Sequence, residues 1–512
     1  MDSSVSFSPL DIVAFVGFIG FVIGVSLWAS RGQETSEEYF LAGRNLSWWL
    51  IGFSLIASNI STEHFVGMAG QGYDLGLAIA SYEWMAAVTL VLVGLWFVPT
   101  FLRLGIYTMP EYLEHRYDLG ARTLMAGYMM CAYIFVALAT VLYSGALALE
   151  AVFGIPIVPG IWLIGILAGV YTIVGGLRAV VWSDLIQGVT LMLGGLLTTI
   201  LAFREIGGWR AFVESSGDKL HTVLPLDHPE MPWLAVFVGG LWIPNLFYWG
   251  LNQFITQRAL AAESLAQAQK GIFLAAGLKL LIPFIIVFPG IIAAELYADQ
   301  ITIADQAYPV LIRELLPAGL TGIMFAALFG AVMSSLDSML NSAATIFTID
   351  LFKRYRAPDA SQDRLVRVGR ITTGVLVVIG CLWAPVVASA GSVFQYIQMF
   401  WGFISPGIVA AFAFGMLSPR TPPIAAKGGM LLGVPVYGLL LWLFPDVAFL
   451  HHMAITFLVI AAFTGVATIV APREPVVFVT NPAAVNLTPA RHAKLAAGAV
   501  IVSVMALYAV FW

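Results

Sequence analysis

The sequence is poor in charge. Charged residues make up 10% of its 512 positions and hydrophobic residues 60%, whereas soluble domains use about 25% charged residues. So little charge cannot cover a water-exposed surface, which excludes an ordinary soluble protein. The net charge of -5 is small and is not gathered in an acidic or basic tail, so nothing indicates nucleic-acid binding.

Cysteine is nearly absent as well. Cys131 and Cys381 lie far apart inside apolar runs, where cysteine behaves as a small hydrophobe more often than as a disulfide partner or a metal ligand. The sequence has no metal-spaced His or Cys cluster, and Gly67, Gly70 and Gly72 do not follow a strand as a dinucleotide fingerprint would. These absences disfavour an enzyme.

Long hydrophobic runs fill most of the chain, whose mean hydropathy is +0.91. A run of about 20 residues crosses a bilayer as a helix. The first run has no Lys or Arg before it and is longer than a signal-peptide core, so we expect a retained helix. We predict an all-α membrane protein with about 14 transmembrane helices, near residues 10–29, 47–69, 77–102, 123–149, 157–175, 179–203, 233–254, 271–296, 317–350, 371–390, 394–417, 424–444, 450–471 and 495–512.

The basic residues favour one orientation in the membrane. Cytoplasmic loops carry an excess of Lys and Arg, and most of the 24 basic residues fall in loops on one side, among them Arg44, Arg122, Arg258 and the stretch 353–370. We therefore expect a multi-pass protein of the cell (plasma or inner) membrane with both termini outside. Residues 1–512 are predicted to form one membrane domain.

Polar residues interrupt two of the predicted spans. The run 48–70 holds six polar side chains at its middle, and the run 234–254 contains Pro244, Asn245 and Gly250. The six are Ser58, Asn59, Ser61, Thr62, Glu63 and His64. Interrupted helices at corresponding positions in two halves of a chain mark the substrate site of secondary transporters. The pattern predicts a membrane transporter.

Four charged residues fall inside predicted spans, namely Glu83, Asp184, Lys279 and Asp337. Each costs about 2.5 to 3.5 kcal/mol at a helix centre, so each needs a partner or a wet cavity. An ion pair such as Glu83 with Lys279 that merely holds helices together is the structural alternative.

Amide and aromatic side chains accompany these charges in the spans. Amides both donate and accept hydrogen bonds, and an aromatic ring offers an apolar face. A sugar needs this mixture, because its hydroxyls donate and accept while its C–H faces pack on rings. Aromatic residues alone are more often packing or an interfacial belt. The residues concerned are Asn59, His64, Asn245, Gln398, Tyr82, Tyr248, Trp249 and Phe394.

The run 331–338, Ala-Val-Met-Ser-Ser-Leu-Asp-Ser, offers ligands for a cation. Sodium takes several oxygen ligands, which two adjacent hydroxyls and the exposed carbonyls of a broken helix can supply. Serines in membrane helices more often bond to their own helix or allow close packing. Taken alone, the run favours that structural interpretation.

Several ordered motifs occur along the chain, within a region of similarity that covers about residues 10–512. They are Ala-Gly-Arg at 42–44, Ser-Leu-Ile-Ala-Ser-Asn-Ile-Ser at 54–61, Ala-Ser-Tyr-Glu-Trp at 80–84, Tyr-Thr-Met-Pro-Glu at 107–111, the stretch 248–258 and Phe-Gln-Tyr-Ile-Gln at 394–398. They resemble the sodium/solute symporter family, specifically its sodium/sugar (glucose/galactose) cotransporter branch. The resemblance implies a leucine-transporter-like core of five plus five helices in inverted repeat, with one helix before it and three after. The extra helix would be 10–29, repeat one about 47–203, repeat two about 233–417, and the last helices 424–512.

The resemblance also implies roles for individual residues. The sugar site would consist of Asn59, His64, Glu83, Asn245, Lys279 and Gln398. The gates would be Tyr248 and Trp249 on the inner side and Met68, Tyr82 and Phe394 on the outer side. The coupling ion, Na+, would bind the carbonyls of Ala57, Ile60 and Ala331 and the hydroxyls of Ser334 and Ser335.

This sequence departs from the branch at three positions. His64 and Ala86 stand where the bacterial galactose transporters have glutamine and serine, and His64 matches the animal glucose cotransporters instead. Asp337, three residues after Ser334, replaces alanine or a hydroxyl residue. With Asp184, Asp337 would form a second cation site. A neutral Asp337 bonded to nearby serines is the alternative.

The expected function is sodium-coupled secondary active symport of a sugar of the glucose or galactose type by alternating access. The expected partners are the sugar, sodium and the lipid bilayer. A symporter for myo-inositol, sialic acid or an amino acid, or a sugar receptor that does not transport, remains an alternative. Carboxylate substrates would need a cationic pocket, and Lys279 opposed by Glu83 provides no clear excess of positive charge.

Overall fold

The computed structural model describes residues 8–31, 35–61, 63–387, 393–476 and 485–512 and is all-helical over these ranges, with isolated backbone bridges and no strand. The α-helices, in chain order, are α1 (Pro9–Ala29), α2 (Ser36–Leu41), α3 (Trp48–Asn59), α4 (Ala69–Leu75), α5 (Ser81–Leu92), α6 (Val98–Leu104), α7 (Met109–Arg116), α8 (Leu119–Ala132), α9 (Ala139–Phe153), α10 (Ile157–Glu205), α11 (Trp209–Ser216), α12 (Trp233–Phe237), α13 (Trp242–Leu246), α14 (Gln253–Leu260), α15 (Leu265–Leu296), α16 (Ala307–Leu315), α17 (Leu320–Thr345), α18 (Lys353–Tyr355), α19 (Gln362–Val387), α20 (Val393–Leu417), α21 (Pro423–Leu443), α22 (Phe449–Val470) and α23 (Ala493–Val510).

Short π-helical turns join several of these helices end to end. They are Glu63–Met68, Val93–Phe97, Tyr133–Leu138, Phe247–Leu251 and Ile346–Phe352. A π-turn accommodates an extra residue in a helical turn and is frequent at functional sites. With these turns included, the described residues contain 12 helices long and apolar enough to cross a membrane.

The prediction of about 14 spans depends on two further segments. The runs 157–175 and 179–203 correspond to two helical segments of α10, which meet at a kink at Gly176 (φ 54°, ψ -157°). This backbone conformation favours glycine. The apolar part before the bend, Ile157–Val170, is shorter than a full span, and the first interrupted run is divided between α3 and α4. The higher count stays a prediction.

Both interrupted runs have a break that begins at a residue in extended conformation. Ile60 (φ -76°, ψ 106°) ends α3, and Asn252 (φ -82°, ψ 126°) precedes α14. Each break leaves carbonyl groups of the preceding helix without a helical partner. After the second break the helix continues to Leu260, beyond the predicted end at residue 254. The assignment of Arg258 to a loop was therefore wrong, because this arginine lies on α14 and is 0% exposed.

Helix α17 lies at the centre of the bundle. Every residue from Met324 to Thr345 is buried, and α17 packs against α10, α1, α3 and α14. The outer helices α21 and α22 leave large apolar side chains exposed, for example Trp442 and Ile469, as expected of a surface that faces lipid. Both interrupted helices therefore contact the central helix.

The first helix is tied to the start of α17. The Asp11 carboxylate, 4% exposed, accepts hydrogen bonds from the backbone N–H groups of Gly319 and Gly322 at 2.7 and 2.9 Å. These are donors that the beginning of a helix leaves without internal partners. The first helix thus caps the central helix of the bundle.

Loops rich in arginine meet at one end of the bundle. Arg44 Nη2 donates to the Gly105 carbonyl at 2.8 Å, and Arg116 Nη2 donates to the Ser418 carbonyl at 2.6 Å. Arg122 forms an ion pair with Asp350 at 2.6 Å. We call this end the basic end; it is defined by Arg44, Arg116, Arg122, Arg354 and Lys427.

Candidate functional site

A cavity of about 130 Å³ lies between the two interrupted helices, α5, α15 and α20. All the predicted sugar-binding residues line it: Asn59, His64, Glu83, Asn245, Lys279 and Gln398. The predicted gate residues Met68, Tyr82, Tyr248 and Trp249 line it too. Phe394 belongs to α20, and its side chain lies outside the described residues. The structure thus brings together residues from distant parts of the chain, whose roles in binding stay predictions.

A buried ion pair forms one wall of the cavity. The Lys279 ammonium donates hydrogen bonds to Glu83 Oε2 and to Asn59 Oδ1. Its Nζ also lies 4.8 Å from the centroid of the Trp249 ring, within the range of a cation–π contact. The other carboxylate oxygen of Glu83, Oε1, is 3.5 Å from His64 Nε2. One carboxylate therefore lies between a lysine and a histidine.

Tyr248 connects the two interrupted helices across the cavity. Its hydroxyl accepts a hydrogen bond from Asn59 Nδ2 at 3.1 Å. The Tyr248 ring centroid lies 5.2 Å from that of Trp249 and 5.4 Å from that of Phe254. Because Tyr248 precedes the second break at Asn252, this hydrogen bond joins the end of α3 to the first part of the second interrupted helix.

Two polar side chains that line the cavity, His64 and Asn245, differ in their hydrogen bonding. Among the described residues, the buried Nδ1 atom of His64 has no hydrogen-bond partner. The amide nitrogen of Asn245 donates to the Leu241 carbonyl of its own helix at 3.1 Å. A ligand rich in hydroxyls could satisfy groups of this kind, since buried polar atoms are nearly always paired.

The serine hydroxyls of α17 meet the last carbonyls of α3. Ser334 Oγ is 3.3 Å from the Ala57 carbonyl oxygen and Ser335 Oγ is 3.4 Å from that of Ser58. Ala331 lies one turn before Ser334, and Ile60 is the extended residue at the break. The predicted sodium ligands therefore lie on two adjoining elements, α17 and the end of α3. No group of three His, Cys, Asp or Glu side chains in the described ranges could hold a metal ion.

Asp184 on α10 joins this cluster. Its Oδ1 accepts a hydrogen bond from Ser334 Oγ at 2.5 Å. Its Oδ2 accepts hydrogen bonds from Ser54 at 2.5 Å, from Ser58 at 3.0 Å and from Arg258 Nη2 at 2.8 Å. An aspartate, an arginine and several hydroxyls thus form one buried network beside the predicted sodium ligands.

Two charged residues near this network, Asp337 and Arg258, bear on the predictions from the sequence. Asp337 is buried on α17, and its Oδ2 lies 3.3 Å from Ser183 Oγ on α10. Arg258, the cationic partner of Asp184, was missed as a site residue because the hydrophobic run ended before it. The motif 248–258, which continues through Arg258, was the signal that could have included it.

Two interrupted helices around a polar cavity, with hydroxyls at a helix break beside it, define a sodium-coupled secondary transporter. The profile of the Sodium:solute symporter family matches residues 39–433. The chain belongs to this family, and its activity is sodium-coupled symport with Na+ as the coupling ion.

Individual relatives agree with this assignment. The chain is 43% identical to a sodium/glucose cotransporter of Vibrio parahaemolyticus, over 99% of this chain and 98% of that protein. It is 36% identical to sodium/myo-inositol cotransporter 2 of Sus scrofa, over 83% of this chain and 69% of that protein. A solved substrate-bound, outward-open structure of a Na+-coupled sialic acid symporter superposes with a TM-score of 0.84 at 22% identity, over 93% of this chain and 100% of that one. This structural similarity confirms the fold.

Proposed function

We propose that this symporter carries a sugar of the glucose or galactose type, which binds in the cavity beside the Glu83–Lys279 pair. The observation that supports the proposal is the set of chemical groups in the cavity wall. A carboxylate, an ammonium, an amide and an imidazole lie beside the aromatic rings of the cavity. A polyhydroxylated ring can donate to the carboxylate, accept from the ammonium and amide, and pack its C–H face on an aromatic plane.

Charge balance in the cavity disfavours sialic acid and amino acids. The Lys279 ammonium is already paired with Glu83, so a substrate carboxylate would find no unbalanced positive charge. Relatives named for glucose and for myo-inositol match this chain, and both compounds are polyhydroxylated six-membered rings. Myo-inositol is therefore the first alternative to include in a substrate panel.

Sodium binds, in this proposal, to the carbonyls of Ala57, Ile60 and Ala331 and to the hydroxyls of Ser334 and Ser335. The position of the serine hydroxyls, 3.3 and 3.4 Å from carbonyl oxygens at the end of α3, supports this site. An ion held by both α3 and α17 would favour the conformation in which the two are joined and the sugar site is complete. Sodium would then raise the affinity for sugar, and sugar would raise the affinity for sodium by the same factor.

Asp184 and Asp337 provide the second cation site in this proposal. Both carboxylates are buried, and Asp184 is bonded to the hydroxyl of Ser334. The ion pair with Arg258 already offsets the charge of Asp184. If Asp337 is a cation ligand, Asp337→Ala should lower the number of sodium ions moved per sugar. Reversal potentials measured in proteoliposomes give this number. An unchanged stoichiometry would contradict the second site.

The coupling ratio sets the gradient that this protein can build. One charge that crosses 100 mV supplies about 2.3 kcal/mol, and a tenfold sodium gradient adds about 1.4 kcal/mol. One sodium per cycle could then support roughly 500-fold accumulation of sugar. Two sodium ions would approximately square that ratio.

Both termini lie outside the cell in the proposed topology. The arginine-rich contacts at the basic end support this orientation, because cytoplasmic surfaces carry the Lys and Arg excess. A protease-cleavable tag after Trp512 should be removed from intact cells. A tag cleaved only after cell lysis would reverse the orientation.

The decisive experiment measures uptake of labelled glucose and galactose into proteoliposomes under an inward sodium gradient, with potassium as the comparison. Wild type should accumulate one of the sugars only with sodium, and Gln398→Ala should lose this uptake. Gln300→Ala, the same exchange at an exposed position outside the cavity, should retain it. Sodium-dependent binding without accumulation would favour a receptor. No response to either sugar would move the search to myo-inositol, sialic acid and amino acids.

A further inference from the structure

Helix α17 carries a polar face that continues past the proposed sodium site toward the basic end. Ser334, Ser338, Asn341 and Thr345 follow one another at spacings of four, three and four residues, which places them on one face of an α-helix. The residues between them are mixed, with Leu336, Met339 and Leu340 apolar and Ser335, Asp337 and Ser342 polar. An amphipathic surface helix turns its polar face to water, but α17 is buried on all sides.

Neighbouring side chains satisfy most of this face. Ser338 Oγ accepts a hydrogen bond from Arg258 Nη2 at 2.5 Å and donates to the Ser334 carbonyl at 2.7 Å. Thr345 Oγ1 accepts from Gln257 Nε2 at 3.1 Å and donates to the Asn341 carbonyl at 2.7 Å. Helix α14 therefore pairs with the face on both sides of Asn341.

The side chain of Asn341 is the exception. It is 1% exposed, and neither its Oδ1 nor its Nδ2 has a hydrogen-bond partner in the part of the chain that the structure describes. Toward the basic end, Thr348 Oγ1 and Asp350 Oδ2 are likewise buried and unpaired among those residues. Because buried polar atoms are nearly always paired, a series of unpaired ones indicates partners that come from outside the chain, such as water or an ion.

This face is separate from the sugar cavity. The cavity is lined from α17 by Met339, five residues after Ser334 and therefore on a different side of the helix. Ser334, Ser338, Asn341 and Thr345 are not among the residues that line the cavity. The proposed sodium site and the proposed sugar site therefore adjoin different faces of α17.

We propose that sodium leaves its site toward the basic end along this face of α17, and that the Asn341 amide oxygen coordinates the ion during release. Asn341 lies about 10 Å along the helix from Ser334, at about 1.5 Å per residue. A neutral amide suits a transient ligand, because a conducting route must bind an ion well enough to admit it and weakly enough to let it leave. Arg258, which contacts Ser338 between the two positions, closes the route in this conformation. The inference rests on the proposed sodium site.

The test replaces Asn341 with leucine, which keeps the volume and removes the oxygen. In proteoliposomes, Asn341→Leu should slow net sodium-driven sugar uptake about tenfold, the effect of one lost bond to an ion in a rate-limiting step. Exchange of labelled for unlabelled sugar should stay near the wild-type rate when sodium is high on both sides, because exchange does not require sodium release. Asn341→Ser, which restores an oxygen, should recover most of the net rate, and Leu340→Met, a volume-conserving neighbour, should have no effect.

Other results would overturn the release route. Net uptake at the wild-type rate in Asn341→Leu would show that Asn341 does not act on sodium. Equal slowing of net uptake and exchange would assign it a structural role. The sodium-induced rise in melting temperature of the purified protein should be unchanged in Asn341→Leu; its loss would make Asn341 part of the binding site. If wild type accumulates no sugar, the proposed substrate is wrong. Exchange of labelled sodium then tests the release route alone, and we expect Asn341→Leu to slow this exchange by the same factor.

Discussion

Two buried ion pairs connect the helices of this protein, and their surroundings differ. Glu83 and Lys279 form a wall of the central cavity, with His64 and Asn59 in contact. Asp184 and Arg258 are enclosed among serine hydroxyls of α3 and α17. The first pair adjoins space in which a ligand can lie, whereas the second fills its own space with protein groups.

This difference predicts that the two ion pairs contribute differently to ligand binding and to the stability of the fold. A charge at the edge of a cavity can be stabilised by water or by a ligand when its partner is removed, but an enclosed charge cannot. We therefore expect the enclosed pair to contribute more to stability than the cavity pair does. Four changes test this distinction, in order of decreasing expected effect.

Removal of the enclosed cation should cost the most. Arg258→Met leaves Asp184 buried without its cation, and loss of one partner of a buried pair typically costs about 3–5 kcal/mol. We expect a large drop in melting temperature, measured in detergent, together with loss of uptake. The double variant Asp184→Asn with Arg258→Met should recover part of the stability because no lone charge remains. A single variant that melts like wild type would show that the pair does not hold α10 and α14 together.

Removal of the cavity cation should affect transport more than stability. Lys279→Met leaves Glu83 beside His64 and a cavity that can admit water, so we expect a smaller loss of about 1–3 kcal/mol. Sugar uptake should fall to background, since the ammonium also orients Asn59. Melting temperatures of Lys279→Met and Arg258→Met should be compared directly. Equal losses would remove the distinction between the two pairs.

A hydroxyl deletion at Tyr248, the proposed inner gate, should have a moderate effect. Tyr248→Phe removes the hydrogen bond to Asn59 and keeps the ring, at a cost of about 0.5–1.5 kcal/mol. We expect a several-fold change in the sugar concentration for half-maximal uptake. Tyr39→Phe is the matched control, because Tyr39 is also buried and its hydroxyl donates to the Ile173 carbonyl at 3.1 Å. A similar kinetic change in both variants would mean that the effect is general and not specific to the cavity.

The exposed pair of Lys427 and Asp118 should contribute least. The two side chains are about one-third exposed, and such pairs contribute about 0–1 kcal/mol. Burial raises the pKa of Asp118, but the hydrogen bond from Lys427 and other contacts outweigh it and hold the pKa below the ordinary value of 3.8. The pair therefore stabilises the protein above that pH, and this contribution is lost as pH falls through the folded-state pKa. Melting curves of wild type and Lys427→Met should differ slightly near neutral pH and converge in acid; a constant difference would exclude the carboxylate as the cause.

The sequence predicts the cavity better than the enclosed cluster. Opposite charges at membrane depth must find partners, so Glu83 and Lys279 could be suggested as a pair, and the structure shows them in contact. Arg258 could not be assigned in the same way, because the hydrophobic run ends before it and half of the residues of α14 are polar. Hydrophobicity identifies where a chain enters the membrane, but it cannot detect a polar helix that other helices shield from lipid.

Helix boundaries show the same limit. Hydrophobic runs located α1, α21 and α22 to within one residue at each end, because their length and composition determine insertion. Helix α15 begins at Leu265, before the predicted start at residue 271, because its first turns contain Gln267, Gln269 and Lys270. The runs 157–175 and 179–203 were predicted as separate helices, and the structure has a kink at Gly176 between them. The proposed second cation site at Asp184 and Asp337 stays a prediction, because both the site and its neutral alternative require the same buried side chains.

The cap that Asp11 places on α17 also has a consequence for the order in which the protein is made. The carboxylate and the Gly322 amide are 311 positions apart in the chain, so α1 enters the membrane long before its partner has been synthesised. Contacts between such distant segments form late, since the intervening chain must first be made and brought together. The Asp11 carboxylate can therefore bind its partners only after more than half of the polypeptide has been synthesised. The central helix α17 can reach its capped position only after that point.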